Sequence, residues 1–141
     1  MGFSARYSYD KFDCSLSSRL SLGNYVYNNR AAQAYLGNIQ SGSNYLSNIP
    51  SSIKDTYFVK TQMWSDYYIE NASFFKLDNL SVGYTFDKIS KQNIKVRLSA
   101  TCQNVFTVTK YTGVDPEVSN GIDNQVYPRP RTFLIGLSID L

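Results

Sequence analysis

The chemistry-bearing residues of this chain are flat aromatic rings, fixed cations and a few carboxylates, and their types point to contact rather than reaction. Trp64, Tyr67 and Tyr68 stand close together with Tyr57 nearby. Such rings could stack on sugar faces, meet a partner protein, or pack loop against loop. Arg19, Lys95 and Arg97 occupy polar positions of alternating stretches, where they could steer an anionic ligand or pair with carboxylates of a separate domain filling the lumen that the strands would enclose. Asp115, Glu117 and Asp123 lie near one another, but the spacing of a calcium loop is absent. Asp115-Pro116 reads instead as a turn, with proline presetting the backbone and aspartate offering a local bond. None of the 141 residues is histidine, which removes the commonest nucleophile-activating base and metal ligand together. No catalytic, cofactor-binding or metal-binding set is expected, and the chain does not read as an enzyme.

Charge and cysteine content narrow the partners further. The net charge is +3, and the 14 basic residues, among them Arg6, Lys54, Lys91, Lys110 and Arg131, are scattered. No basic stripe is available to track a nucleic acid backbone. Cys14 and Cys102 fall on the apolar faces of strands that are not expected to be neighbours, so both are expected as unpaired thiols. No run of about 18 apolar residues exists, so no helix is expected to cross a bilayer.

The elements that must position these residues are strands. Phe12, Cys14, Leu16, Leu20 and Leu22 alternate with Asp13, Ser15, Ser17, Arg19 and Ser21. Ile94, Val96, Leu98, Ala100, Cys102, Phe106 and Val108 alternate with a mainly polar set that includes Lys95, Arg97, Ser99 and Gln103. Phe133, Ile135, Leu137, Ile139 and Leu141 continue the period of two to the last residue. Weaker alternation covers residues 2–9. In residues 74–86 the parity slips between Phe75, Leu77 and Leu80, Val82, Tyr84, which predicts a β-bulge near Asp78-Asn79. Strands are therefore expected at about 2–9, 12–28, 74–86, 93–108 and 131–141 in an all-β, antiparallel up-and-down meander.

Connection lengths alternate as well. A tight turn at Asp10-Lys11 and a short turn over 87–92 contrast with long segments at about 29–73 and 109–130. Short turns on one side and long loops on the other characterise outer-membrane barrels. The alternating stretches also approach the roughly 10 residues needed to cross a bilayer at a tilt, against about 5–6 for an average globular strand. Tyr25 and Tyr27 at one end and Tyr84 and Phe86 at the other suit aromatic girdles. Pro128 and Pro130, lacking backbone donors, mark the entry to the last strand and place Arg129 and Arg131 at the outer rim. A soluble β-sandwich acting as a carbohydrate-binding or adhesion module is the alternative, since it too alternates apolar and polar faces. Five strands do not close a barrel of this kind, which takes at least about eight, so the sequence reads as a piece of a larger one.

Three blocks give the barrel reading a family. The run from Ser65 to Tyr84, containing Tyr68-Ile69-Glu70-Asn71-Ala72-Ser73 and Leu77-Asp78-Asn79-Leu80, resembles a strand of the SusC/RagA-type TonB-dependent transporters. The run from Gln103 to Val118 and the Tyr127-Pro128-Arg129-Pro130-Arg131-Thr132 ending resemble two further blocks of that family, in the same order. Together they cover residues 65–141, whereas residues 1–64 match only in style. The chain finishes on Leu141 where members of the family commonly finish on an aromatic residue. The resemblance implies a bacterial outer-membrane barrel of about 22 strands closed by a plug, of which this chain would be the last five. It also implies the partners: the rest of the barrel and the plug domain, a SusD-like surface lipoprotein over the mouth, TonB acting through the N-terminal part, and outer-membrane lipids. The cargo would be glycans or peptides. Neither a plug nor a TonB box is present in this sequence, so transport by the chain alone is not expected.

Overall fold

A computed structural model describes residues 1–33, 51, 53–58, 60–87, 94–124 and 127–140. The turn expected over 87–92, much of the segment 29–73 and the terminal Leu141 fall wholly or partly outside the described residues. The chain divides into two units. A sheet unit comprises Met1–Leu22, Phe74–Thr109 and Arg129–Leu141, and a loop unit comprises Gly23–Ser73 and Lys110–Pro128.

The sheet unit is an antiparallel meander of β1 (Gly2–Tyr9), β2 (Phe12–Ser21), β5 (Phe74–Phe86), β6 (Lys95–Thr109) and β7 (Thr132–Asp140). They are hydrogen-bonded in the order β1-β2-β5-β6-β7. At 13 residues for β5 and 15 for β6, the central strands exceed the usual globular length of about 5–6. Tyr9 pairs with Phe12 across the Asp10-Lys11 turn, and Asp10 takes the left-handed φ of 49° that its short polar side chain tolerates.

The expected bulge lies where parity slips. Against β2, Ser17 pairs with Asn79 and Ser18 with Leu77, so Asp78 is the extra residue of β5. Against β6, Leu77 pairs with Phe106 and Asn79 with Gln103, which makes Asn104-Val105 an extra step in β6. Each strand in turn carries one residue more than its neighbour, an arrangement that bends and twists the ladder locally. Asn104 meets this geometry with a φ of 54°. Its side-chain amide donates to the carbonyls of Arg129 (2.8 Å) and Pro130 (3.3 Å), fixing the proline-containing entry to β7.

Strand two corrects the sequence reading. The expected single strand over 12–28 ends at Ser21, because Gly23 turns the chain with a φ of 77°. Residues Tyr25–Tyr27 form a separate strand, β3, paired with β4 (Ile69–Asn71) in the loop unit. Tyr27 accordingly packs inside the loop unit instead of lining a girdle. Among its described residues the segment 29–73 also carries the short helices α1 (Asn29–Ala32) and α2 (Ile53–Thr56) and a 3-10 turn over Asp66–Tyr68.

Burial separates the units. One face of the sheet is apolar and uncovered, with Phe133 73%, Ile135 83% and Leu137 64% exposed. A soluble sandwich requires that face to be covered by a second sheet, so the sandwich alternative does not describe this fold. Cys14 and Cys102 are free, as expected. Among the described residues, the buried apolar side chains apart from Phe74 all belong to the loop unit: Val26, Ala32, Tyr68, Ala72 and Tyr111.

Candidate functional site

On the polar face of the sheet, the charges read from the sequence are held by their own strands. Arg19 on β2 donates to both carboxylate oxygens of Asp78 on β5, from Nε at 2.6 Å and Nη2 at 2.8 Å. Arg97 on β6 does the same to Asp13 on β2, at 3.0 and 2.7 Å. These fork-on-carboxylate pairs are the geometry that favours arginine over lysine. Arg19 and Arg97 are thus paired with aspartates of the same sheet, Asp78 and Asp13. Lys95 is exposed at the start of β6, opposite Asp140 of β7.

The second pair joins strands that are not neighbours. Asp13 and Arg97 reach each other across β5, over Gly83. A Cβ built on Gly83 would lie 2.5 Å from Arg97 Nη2 and 2.6 Å from Asp13 Oδ1. A side chain at this position would push the charged ends of Arg97 and Asp13 aside.

In the loop unit, backbone and side-chain bonds knit three distant segments. Gly23 N–H donates to Ser73 Oγ, and Asn24 Nδ2 to Ala72 O, at the start of the β3-β4 ladder. Tyr27 N–H donates to Gly121 O and Asp123 N–H to Tyr27 O, so residues 121–123 run beside β3. Asn28, 4% exposed, caps α1 through Oδ1 and donates its backbone N–H to Tyr68 O.

Glu70 is the polar centre of the unit. Its Oε1 accepts from Asn28 Nδ2 (2.9 Å) and Thr112 Oγ1 (2.7 Å), and its Oε2 accepts from Thr112 N–H (2.8 Å). Nearby, the buried Tyr111 hydroxyl donates to Asp123 Oδ2 at 2.7 Å. Burial, reinforced by that bond, holds the Tyr111 hydroxyl well above the usual tyrosine range. Asp115 Oδ1 accepts from Glu117 N–H at 3.0 Å, the local turn bond that Asp115-Pro116 suggested. Among the described residues no group of three or more potential ligands is placed to hold a metal ion.

The three aromatic residues singled out from the sequence are brought together. Trp64 stacks on Tyr27 with ring centres 5.6 Å apart and planes 19° from parallel. The Trp64 backbone N–H donates to the Tyr27 hydroxyl at 2.8 Å. Tyr68 sits edge-on to both Tyr27 and Tyr67, and Phe58 closes on Tyr67. Burial raises the Tyr68 hydroxyl above its ordinary range, with the neighbouring Tyr67 and Tyr27 adding to the effect. Trp64 at 73% and Tyr67 at 57% present open rings, whereas Tyr68 at 7% is their support. Tyr27, Asn28, Glu70 and Thr112 escaped the sequence reading as parts of this assembly. Their only signal was that Glu70 and Thr112 fall within two of the blocks quoted above.

Comparison with known proteins accords with this geometry. No family model matches the chain. It is 40% identical, over 99% of its length, to the TonB-dependent receptor SusC of Bacteroides thetaiotaomicron, and covers 15% of that protein. It is 29% identical over the same share to the TonB-dependent receptor P3 of Formosa agariphila, of which it covers 16%. Among solved structures, the RagAB peptide importer in its open-open state superposes with a TM-score of 0.73 at 22% identity, over 99% of this chain and 17% of that one. The closed-closed state gives 0.74 at 23% identity. The chain thus spans only about 15–16% of the length of the curated relatives it matches, and those relatives are receptors, not enzymes. The chain is thus similar in sequence to SusC over nearly its whole length and in fold to one β-rich segment of RagAB, consistent with a fragment of a SusC/RagA-type TonB-dependent receptor.

Proposed function

We propose that the chain supplies wall and outer loops to an outer-membrane transporter that imports glycans or peptides. The uncovered apolar face of the long-stranded sheet carries this reading, backed by an opposite face on which Arg19 and Arg97 are paired with aspartates. Strands β1, β2, β5, β6 and β7 cross the membrane, with the apolar face toward lipid and Arg19, Lys95 and Arg97 toward the lumen. The long segments of the loop unit are extracellular. There the open rings of Trp64 and Tyr67 meet either passing cargo or a SusD-like lipoprotein closing over the barrel, and Tyr68 holds them from beneath. TonB acts on the plug, through the N-terminal portion of such receptors. One structural neighbour bears on the cargo: the solved RagAB complex is a peptide importer.

The test is where the chain folds and what its loops touch. The 141-residue chain is expected to partition into detergent and to give a β-sheet circular dichroism signal there. A cooperative thermal transition of a monomer in plain buffer would contradict the membrane reading. In detergent, the emission of Trp64, the single tryptophan of the chain, is expected to respond to oligosaccharide, to peptide or to a SusD-like lipoprotein. Silence toward all three would remove the contact role of the rings.

A further inference from the structure

We infer that Glu70 is a positioning residue for the Trp64-Tyr67 surface: its carboxylate locks two distant segments together and thereby sets where those rings stand. The inference rests on the contact role proposed for Trp64 and Tyr67, but the link itself is read from geometry alone.

Glu70 lies in β4 between Ile69 and Asn71, and β4 follows directly on the turn that carries Tyr67 and Tyr68. Its carboxylate collects three donors, one from Asn28 and two from Thr112. Asn28 is the residue after Tyr27, whose ring and hydroxyl both hold Trp64. Asn28 also donates its backbone N–H to Tyr68 O. Any shift of Asn28 therefore moves the base under Trp64 and the support under Tyr67 together. Thr112 adjoins Tyr111, which is tied to Asp123, and Asp123 donates its backbone N–H to Tyr27 O. Glu70 thus reaches Tyr27 from two directions. A carboxylate that gathers several donors is a stronger fastening than a single neutral pair of the same geometry. Exposed rings standing on a short ladder of three paired residues need such a fastening, because the ladder alone is too short to be stable.

The experiment uses the full chain in detergent and reads Trp64 emission, acrylamide quenching and amide exchange, with no ligand present. In E70A the Trp64 ring is expected to leave Tyr27, giving longer-wavelength emission and stronger quenching. The Thr112 and Trp64 amides should exchange about tenfold faster, the order of effect of losing a hydrogen bond to a charged acceptor. E70Q keeps one acceptor and is expected to recover part of both signals, and T112V should show the same changes in weaker form. A wild-type Trp64 signal and wild-type exchange in E70A overturn the inference, as does an E70Q variant no better than E70A. If E70A loses its strand signal in circular dichroism, T112V carries the test, and unchanged Trp64 emission there overturns the inference. A platform that proves unresponsive to ligand in the earlier titration would remove its contact role while leaving this positional link measurable.

Discussion

The sheet unit and the loop unit reverse the usual relation between composition and burial. The sheet unit carries the long apolar alternation, yet its apolar side chains point outward, with Ile135 at 83% exposure. The loop unit, rich in Asn, Ser and Tyr, contains nearly all the buried apolar residues among those described, gathered around Val26, Ala72 and Tyr111. The first unit needs a solvent of low polarity to bury its surface. The second buries its own, and satisfies the polar groups it encloses by specific pairing: Glu70 with Asn28 and Thr112, Tyr111 with Asp123. The difference teaches that one short chain can be specified in two ways: by a repeating pattern where the surroundings do the burying, and by individual partners where they do not.

The comparison breaks most visibly if a charge is placed on the apolar face. Val82→Arg, in the middle of β5, is expected to cost about 2–4 kcal/mol of folding free energy in lipid, as arginine does near a bilayer midplane. Ser8→Arg, on the polar face opposite Asp13, should stay within about 0.5 kcal/mol, as surface substitutions usually do. Denaturant titration in vesicles reads both, and equal costs would show that the two faces are not differently solvated.

Next in size is the buried pair of the loop unit. Tyr111→Phe takes a donor from Asp123, which is 1% exposed, and is expected to cost about 1–3 kcal/mol, seen as faster proteolysis within residues 110–128. The pH dependence sharpens this. Because the folded Tyr111 hydroxyl is held above its ordinary value of 10.0, its contribution is complete below that value. As pH rises beyond it, the unfolded chain ionises while the folded one resists, and stability falls. Wild-type loops should therefore loosen above about pH 10, and Tyr111→Phe should lessen that dependence, with Trp64 emission as the readout.

Asn104→Ala should cost about 1–2 kcal/mol, the penalty for a left-handed backbone without a residue suited to it, and should also lose the bonds to Arg129 and Pro130. Asn104→Gly is expected to recover the backbone part only, so thermal melts of the two variants separate conformation from bonding. The smallest effect belongs to Gly83→Ala. Displacing such a solvent-screened ion pair costs little, and in an Arg97→Gln background the Gly83→Ala effect should shrink toward zero.

Legibility in the sequence followed the same division. The strands of the sheet unit were readable because alternation is local, and even the bulge at Asp78 showed as a change of parity between Leu77 and Leu80. The overreach of the second strand past Ser21 came from treating Tyr25 and Tyr27 as its continuation, although Gly23 with its left-handed φ ends it. In the loop unit the aromatic cluster was visible as a composition, but not which ring would be buried. Glu70 could not be matched to Asn28 and Thr112 from the sequence, because nothing in a list of residues says which donors a carboxylate will find across a fold. Arg19 and Arg97 were read at polar positions of their strands. Their partners were missed because Asp78 and Asp13 become neighbours only through strand pairing.

Gly83 has a consequence for how the sheet is assembled. Alternation rejects a slip of one residue, since that would turn every apolar side chain to the wrong face. A slip of two leaves the alternation intact and passes that test unnoticed. Here it would bring Ser81 or Thr85 beneath the bridge between Asp13 and Arg97, where a Cβ would push the two charged ends aside. The glycine and the ion pair therefore act as a proofreading mark that recognises even errors, and they inspect three strands at a single point.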